Sequence, residues 1–162
     1  LLRHGIAEDA GPATGGRDEP RRLTAEGIER MHAGARGMAV LALGIDTVLT
    51  SPLVRCVQTA GIVCEHIGGT AREDVRLRPG MDLDLLEDVL LEHPGAGSVL
   101  VCGHEPDLST LAADLTGGAA LHMRKGALAV LDVEALRPRG GRLRAFYEPR
   151  LLRMVAGEAP GA

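Results

Sequence analysis

Apolar residues in this chain alternate between short continuous runs and stripes at helical spacing, with glycine-rich or charged breaks between them. After the apolar start at Leu1 and Leu2, residues 8–22 have no periodicity and are dense in Gly, Pro and charge, which predicts a loop. Ile28, Met31, Ala35, Met38 and Ala42 then recur three and four apart behind Thr24, a residue suited to an N-cap, so 24–43 is expected to be a helix. Gly44 supplies its stop, and 45–49 reads as a short buried strand. Ser51-Pro52 marks the next helix start, with Ser as N-cap, Val57, Gly61, Cys64 and Ile67 as the inward face, and Gly68-Gly69 as the end.

Further along, 74–79 reads as a brief extended segment. Asp82 or Asp84 opens a helix through Leu85, Leu86, Val89 and Leu90, closed by His93-Pro94-Gly95. A buried strand over 98–102, a turn at Gly103 and a helix from Pro106 to Leu115 follow. Two later strands are expected over 126–133 and 143–147, separated by the turn-rich stretch 137–142. Strands alternating with helices imply an α/β fold with a mostly parallel central sheet and helices on both faces. No repeat or inter-domain linker interrupts the pattern, so 1–162 is read as one domain.

Composition narrows what such a domain does. Phe146 and Tyr147 are the only aromatic residues, so stacking on nucleobases is poorly supported. The net charge of −4, from 18 Lys+Arg against 22 Asp+Glu, lacks the footprint of a general nucleic-acid binder. No apolar run reaches the roughly 18–20 residues of a membrane-spanning helix. Cys56, Cys64 and Cys102 are odd in number, lie in or beside apolar segments and have no zinc-ligand spacing, so they read as reduced core residues of a cytoplasmic protein. The chain opens on Leu-Leu-Arg-His-Gly without an initiator Met and is expected to begin a few residues late, inside a first strand. There is no Gly-x-Gly-x-x-Gly and no P-loop, which disfavours a nucleotide-binding fold, and no metal-ligand set, so neither metal nor other cofactor is expected.

In parallel sheets, ligands bind where strands end and helix N-termini begin. Three such junctions carry Arg3-His4-Gly5, then Thr50-Ser51-Pro52 with Arg55 in the following first turn, then Gly103-His104. A cation at a helix N-terminus is locally unfavourable and calls for an anion. Two guanidinium groups suit phosphate oxygens, each charge-assisted hydrogen bond contributing on the order of 1.5–3 kcal/mol. A neutral imidazole supplies a nucleophile without a metal, and the arginines around it are expected to depress its pKa. A second imidazole can bind an oxygen of the group in transfer. His32, His66, His93 and His122 have no partners at useful spacing and read as solvated or structural; Arg17, Arg21 and Arg22 read as a solvated, mobile loop.

Four blocks then carry a specific resemblance: Leu-Leu-Arg-His-Gly at 1–5, Leu-Thr-Ala-Glu-Gly at 23–27, Thr-Ser-Pro-Leu-Val-Arg-Cys-Val-Gln-Thr-Ala at 50–60 and Val-Cys-Gly-His-Glu-Pro-Asp-Leu-Ser at 101–109. In this order they resemble the histidine phosphatase superfamily, the phosphoglycerate mutase-like fold, and most of all its small SixA-type branch of phosphohistidine phosphatases. Met-Arg-Lys-Gly-Ala-Leu-Ala-Val-Leu at 123–131 is similar to the same branch. The resemblance implies that His4 is the phosphorylated nucleophile and that Arg3, Arg55 and His104 form the phosphate pocket. It implies a partner that is a phosphohistidine protein or a small phosphate ester, not nucleic acid or membrane.

Two positions depart from the pattern. Glu105 stands where the branch commonly has Asn; it would repel phosphate unless it points away, caps the Pro106 helix or donates a proton. The acid that protonates an ester leaving group in larger relatives has no clear match, with Asp82, Asp84 and Glu87 as candidates. A phosphoramidate needs less from such an acid. The stretch from Gly68 to Ser98 has room for one extended segment and one helix but not for a cap domain, so an open site is expected. The alternatives are a sugar-phosphate or nucleotide phosphomonoesterase and a phosphate-binding module without turnover.

Overall fold

A computed structural model describes residues 1–118 and 120–157. Eight of its elements build the parallel part of the fold: β1 (Leu2–Arg3), α1 (Ala25–Val40), β2 (Thr47–Thr50), α2 (Val54–Ile67), β3 (Ala71–Glu73), α3 (Leu83–Leu91), β4 (Val99–Gly103) and α4 (Asp107–Thr116). The chain closes with the hairpin of β5 (Leu128–Val133) and β6 (Gly141–Tyr147), then α5 (Pro149–Val155). The six strands form one sheet in the order β3-β2-β4-β1-β5-β6. β3, β2, β4 and β1 are parallel, whereas β5 runs antiparallel to β1 and β6 antiparallel to β5. The α/β fold with a mostly parallel sheet is therefore as expected, and no cap domain is inserted between α2 and β4.

Alternation along the strands divides the core into two layers. Leu2, Val48, Leu100, Cys102 and Leu128 point to one face, where Met31, Met38, Val63 and Leu152 cover them. Leu49, Val101 and Ala129 point to the other, against Leu86, Val89, Leu108 and Leu111. α1, α2 and α5 thus cover one side of the sheet, and α3 and α4 the other.

Several local expectations are corrected. α1 ends at Val40, and its inward face is lined by Gly27, Met31, Gly34, Ala35, Gly37 and Met38, while Ile28 and Ala42 are exposed. The reason is close approach: a Cβ on Gly27 would lie 2.0 Å from the Ile6 carbonyl oxygen, and one on Gly37 would lie 1.9 Å from that of Leu152. Glycines thus share this packing face with the expected Met31, Ala35 and Met38. α2 begins at Val54 with Leu53 as N-cap, so Ser51 is not its cap, and the buried residues include Arg55, Cys56, Thr59, Ala60 and Val63. The segment expected to be extended over 74–79 instead holds a 3₁₀ turn at Val75–Leu77, and the strand, β3, lies just before it at Ala71–Glu73. α5 lies beyond the last expected element, although Pro149 at its first turn is a start signal.

Candidate active site

The carboxyl ends of β1, β2 and β4 are neighbours in the sheet, so the three unusual junctions meet. His4, Arg55 and His104 are all buried there, at 6%, 4% and 3% exposure. The His4 Nδ1–H donates to the Gly5 carbonyl oxygen at 2.8 Å, because a carbonyl can only accept. This fixes the tautomer and leaves Nε2 as the unprotonated, accepting nitrogen. Arg55 Nε–H donates to that Nε2 at 3.2 Å. Burial, ahead of the charges of Arg55, His104 and Arg3, pulls the His4 pKa from 6.5 down to about 3, against the opposing pull of the Gly5 hydrogen bond. The expected direction is therefore right, but desolvation outweighs the arginines as its cause.

His104 is held from both sides of its ring. Its Nδ1 accepts from an Arg55 Nη2–H at 3.2 Å, so Nε2 carries the proton and donates to Ser51 Oγ at 2.8 Å. The His4 and His104 ring centroids are 5.4 Å apart, with the planes tilted by 58°. Arg3 reaches the Met123 carbonyl oxygen through Nη1 at 2.7 Å. Its Nε is buried without a hydrogen-bond partner among the described residues. Burial lowers the Arg3 pKa and the charge of Glu105 raises it.

Asp18 was not among the expected site residues. It lies in the 8–22 loop, yet its Oδ2 accepts from Arg55 Nη2 at 2.8 Å and its carbonyl oxygen from Arg55 Nη1 at 3.0 Å. Burial pushes the Asp18 pKa up, but hydrogen bonds from Arg21 and Arg55 outweigh it and hold the carboxyl below its ordinary value. The anion that a cation at the start of α2 calls for is thus present within the chain. Arg21 is correspondingly pinned to Asp18 at 2.7 Å, not freely solvated. Thr59 was also missed: its Oγ1 accepts from Gly5 N–H at 3.0 Å and donates to the Arg55 carbonyl oxygen at 2.7 Å. Cys56 and Cys102 are free thiols in the wall behind His104, with Cys56 Sγ 3.5 Å from His104 Nε2.

The acidic candidates fall elsewhere. Glu105 caps α4, accepting from Ser109 N–H at 3.2 Å and Ser109 Oγ–H at 2.8 Å, one of the roles open to it in sequence. Asp82 caps α3 through Leu85 N–H at 2.9 Å, and Asp84 is exposed in the first turn of that helix. Neither Asp82, Asp84 nor Glu87 hydrogen bonds any of the four clustered side chains. Away from the site, His32 and His66 do have a partner, each other, with Nδ1 of the first 3.1 Å from Nε2 of the second. Among the described residues no group of three or more His, Cys, Asp or Glu is placed to hold a metal ion, and no helix is long and apolar enough to cross a membrane.

Residues 1–80 match the model of the histidine phosphatase superfamily (branch 1). The phosphohistidine phosphatase SixA of Escherichia coli is 32% identical over 123 residues, which cover 73% of each chain. An uncharacterized protein of Picosynechococcus is 33% identical over 161 residues, covering 96% of this chain and 94% of that one. The solved structure of the protein histidine phosphatase SixA complexed with tungstate is 27% identical, superposes with a TM-score of 0.80, and is matched over 93% of this chain and 96% of its own.

Proposed function

Because the chain belongs to the histidine phosphatase superfamily, in its SixA-type branch, we propose that it is a phosphatase that removes the phosphoryl group from phosphohistidine on a protein, working through a phosphohistidine of its own. Residues 1–162 act as one catalytic domain in this reading. The observation that carries it is the His4 tautomer: a buried, neutral imidazole whose Nε2 lone pair faces the Arg55 guanidinium.

The chemistry follows in two displacements. His4 Nε2 attacks phosphorus in line, forming an N–P bond as the substrate's P–N bond breaks and its imidazole, already protonated on its other nitrogen, leaves with the bonding pair as the neutral ring. Arg55 and Arg3 hold the equatorial oxygens; the unpaired Nε–H of Arg3 is a donor that a phosphate oxygen would satisfy. His104 stabilises the group in transfer. Water then attacks phosphorus, the His4 N–P bond breaks, and inorganic phosphate leaves with His4 neutral again. Nothing in this scheme needs a metal.

The substrate class rests on two features. None of the candidates Asp82, Asp84 and Glu87 hydrogen bonds the four clustered side chains, and a phosphoramidate whose nitrogen is protonated needs little help to leave. With no cap domain between α2 and β4, a side chain on a protein surface has access. The test is a panel of phosphohistidine protein, sugar phosphates and nucleotides, run on wild type and His4→Ala. The proposal expects the phosphohistidine protein to be turned over fastest, with acid-labile, alkali-stable phosphate trapped on wild type only. Preference for an ester would overturn the substrate; turnover by His4→Ala would overturn the mechanism.

A further inference from the structure

A second cationic feature lies beside the nucleophile. A cavity of about 420 Å³ opens between α1, α5 and the segment leading into β5, and the two residues flanking His4, Arg3 and Gly5, form part of its wall. Its size is within the range of small-ligand sites and its lining is largely apolar, as theirs is, but cations are grouped around it. Arg124, Lys125 and Arg150 line it, and Glu148 is the single acidic residue that does.

Arg30 lines the same cavity and is paired with Glu26 at 2.6 Å. Among the described residues, Arg124, Lys125 and Arg150 have no acidic partner. In a chain with a net charge of −4, three unpaired cations around one concavity are a local reversal of sign.

The backbone ties this concavity to the site. Gly126 N–H donates to the carbonyl oxygens of both Arg3 and His4 at 3.1 Å, and the Met123 carbonyl oxygen takes the Arg3 Nη1–H at 2.7 Å. Residues 123–126 therefore hold the phosphate pocket with their backbone and present Arg124 and Lys125 to the cavity. A group bound at His4 has its surroundings next to these cations.

We propose that this cavity is a docking subsite for an acidic segment of the protein that carries the phosphoryl group. The idea rests on the phosphoprotein reading above and adds the charge of the partner. An acidic peptide fits better than a nucleotide, because neither Phe146 nor Tyr147 lines the cavity and no ring is there to stack on a base. It fits better than a lone phosphate because Arg124 and Arg150 are exposed, suited to carboxylates spread along a chain.

The test needs no turnover. ¹⁵N-labelled protein is titrated with hexaglutamate and, separately, with hexaglutamine. Hexaglutamate is expected to shift the amides of Arg124, Lys125, Gly126 and Arg150, and raising salt from about 20 to about 300 mM is expected to weaken binding about tenfold. Arg124→Glu/Lys125→Glu/Arg150→Glu is expected to lose the shifts, and Arg124→Gln/Arg150→Gln, a milder change in exposed side chains, to weaken binding by about threefold or more. Equal binding of hexaglutamine, or unchanged binding by the folded variants, would overturn the proposal. So would displacement of the peptide from the cavity by millimolar inorganic phosphate, which would make it a small-anion site. If hexaglutamate binds as expected while no phosphohistidine protein is hydrolysed, the subsite stands and the phosphoprotein reading falls.

Discussion

Arg55 Nε lies 3.2 Å from His4 Nε2, so the guanidinium rests against the atom proposed to form the bond to phosphorus. Its other nitrogens are spread between His104 and Asp18. One arginine therefore links both imidazoles to the early loop. Arg55→Ala is expected to lower kcat/KM by about 10²–10³, as for removal of a charge-stabilising donor. Arg55→Lys should recover only part of this, because an ammonium keeps the charge but not the fork of donors. A loss below about fivefold in steady-state assays of Arg55→Ala would place Arg55 outside the phosphate pocket.

Asp18 anchors the far side of the same guanidinium. Asp18→Asn keeps the shape and removes the charge-assisted bond, and it should reduce kcat by about tenfold through loss of orientation. A kcat equal to that of wild type would show that Arg55 is held without it.

His4 is neutral in the folded chain down to about pH 3, whereas an unfolded histidine takes up its proton near 6.5. Between these values the unfolded state binds more protons, so this group's contribution is greatest above 6.5 and is lost as pH falls through the window. Urea unfolding of wild type is expected to weaken with falling pH more steeply than that of His4→Gln. Parallel pH profiles would contradict a buried neutral imidazole.

Chelators test the chemistry itself. Prolonged dialysis against EDTA should leave turnover unchanged, since in the proposed scheme His4, the arginines and His104 supply every group the two displacements need. Activity lost to chelator and restored by a divalent ion would overturn the mechanism.

Two glycines in α1 should respond in opposite directions. Gly37→Ala drives a methyl group toward the Leu152 carbonyl oxygen and is expected to destabilise by about 1–3 kcal/mol as α5 is forced away. At Gly34 the nearest atom to an added Cβ is 3.9 Å away, so Gly34→Ala should gain about 0.5–1 kcal/mol from helix propensity. Denaturant midpoints of the two variants measure this, and a gain at Gly37 would refute the close approach of the two helices.

The pattern of glycines also shows where sequence reasoning reaches its limit. Arg3, His4, Arg55 and His104 could be singled out as candidates from sequence because each stands at or just beyond a strand end, beside Gly or a helix start. Asp18 could not, because the loop holding it has no periodicity and its place is set by Arg55, a partner distant in sequence. The helix faces were legible in part: Met31, Ala35 and Met38 on α1 and Cys64 on α2 are buried as their spacing implies. Amphipathic spacing weights large side chains, so it passes over the close approaches at Gly27 and Gly37 and the inward turn of Arg55 and Thr59, which bond His4, His104 and Gly5. The topology was more legible than the boundaries, since strand-helix alternation depends on many residues at once.

Thr59 has a mechanical consequence. One hydroxyl grips the amide after His4 and the carbonyl of Arg55, so the end of β1 and the first turn of α2 are clamped as a single body. In the proposed mechanism this keeps nucleophile and oxygen holder in register between the two displacements, so both half-reactions would run from one geometry without resetting it.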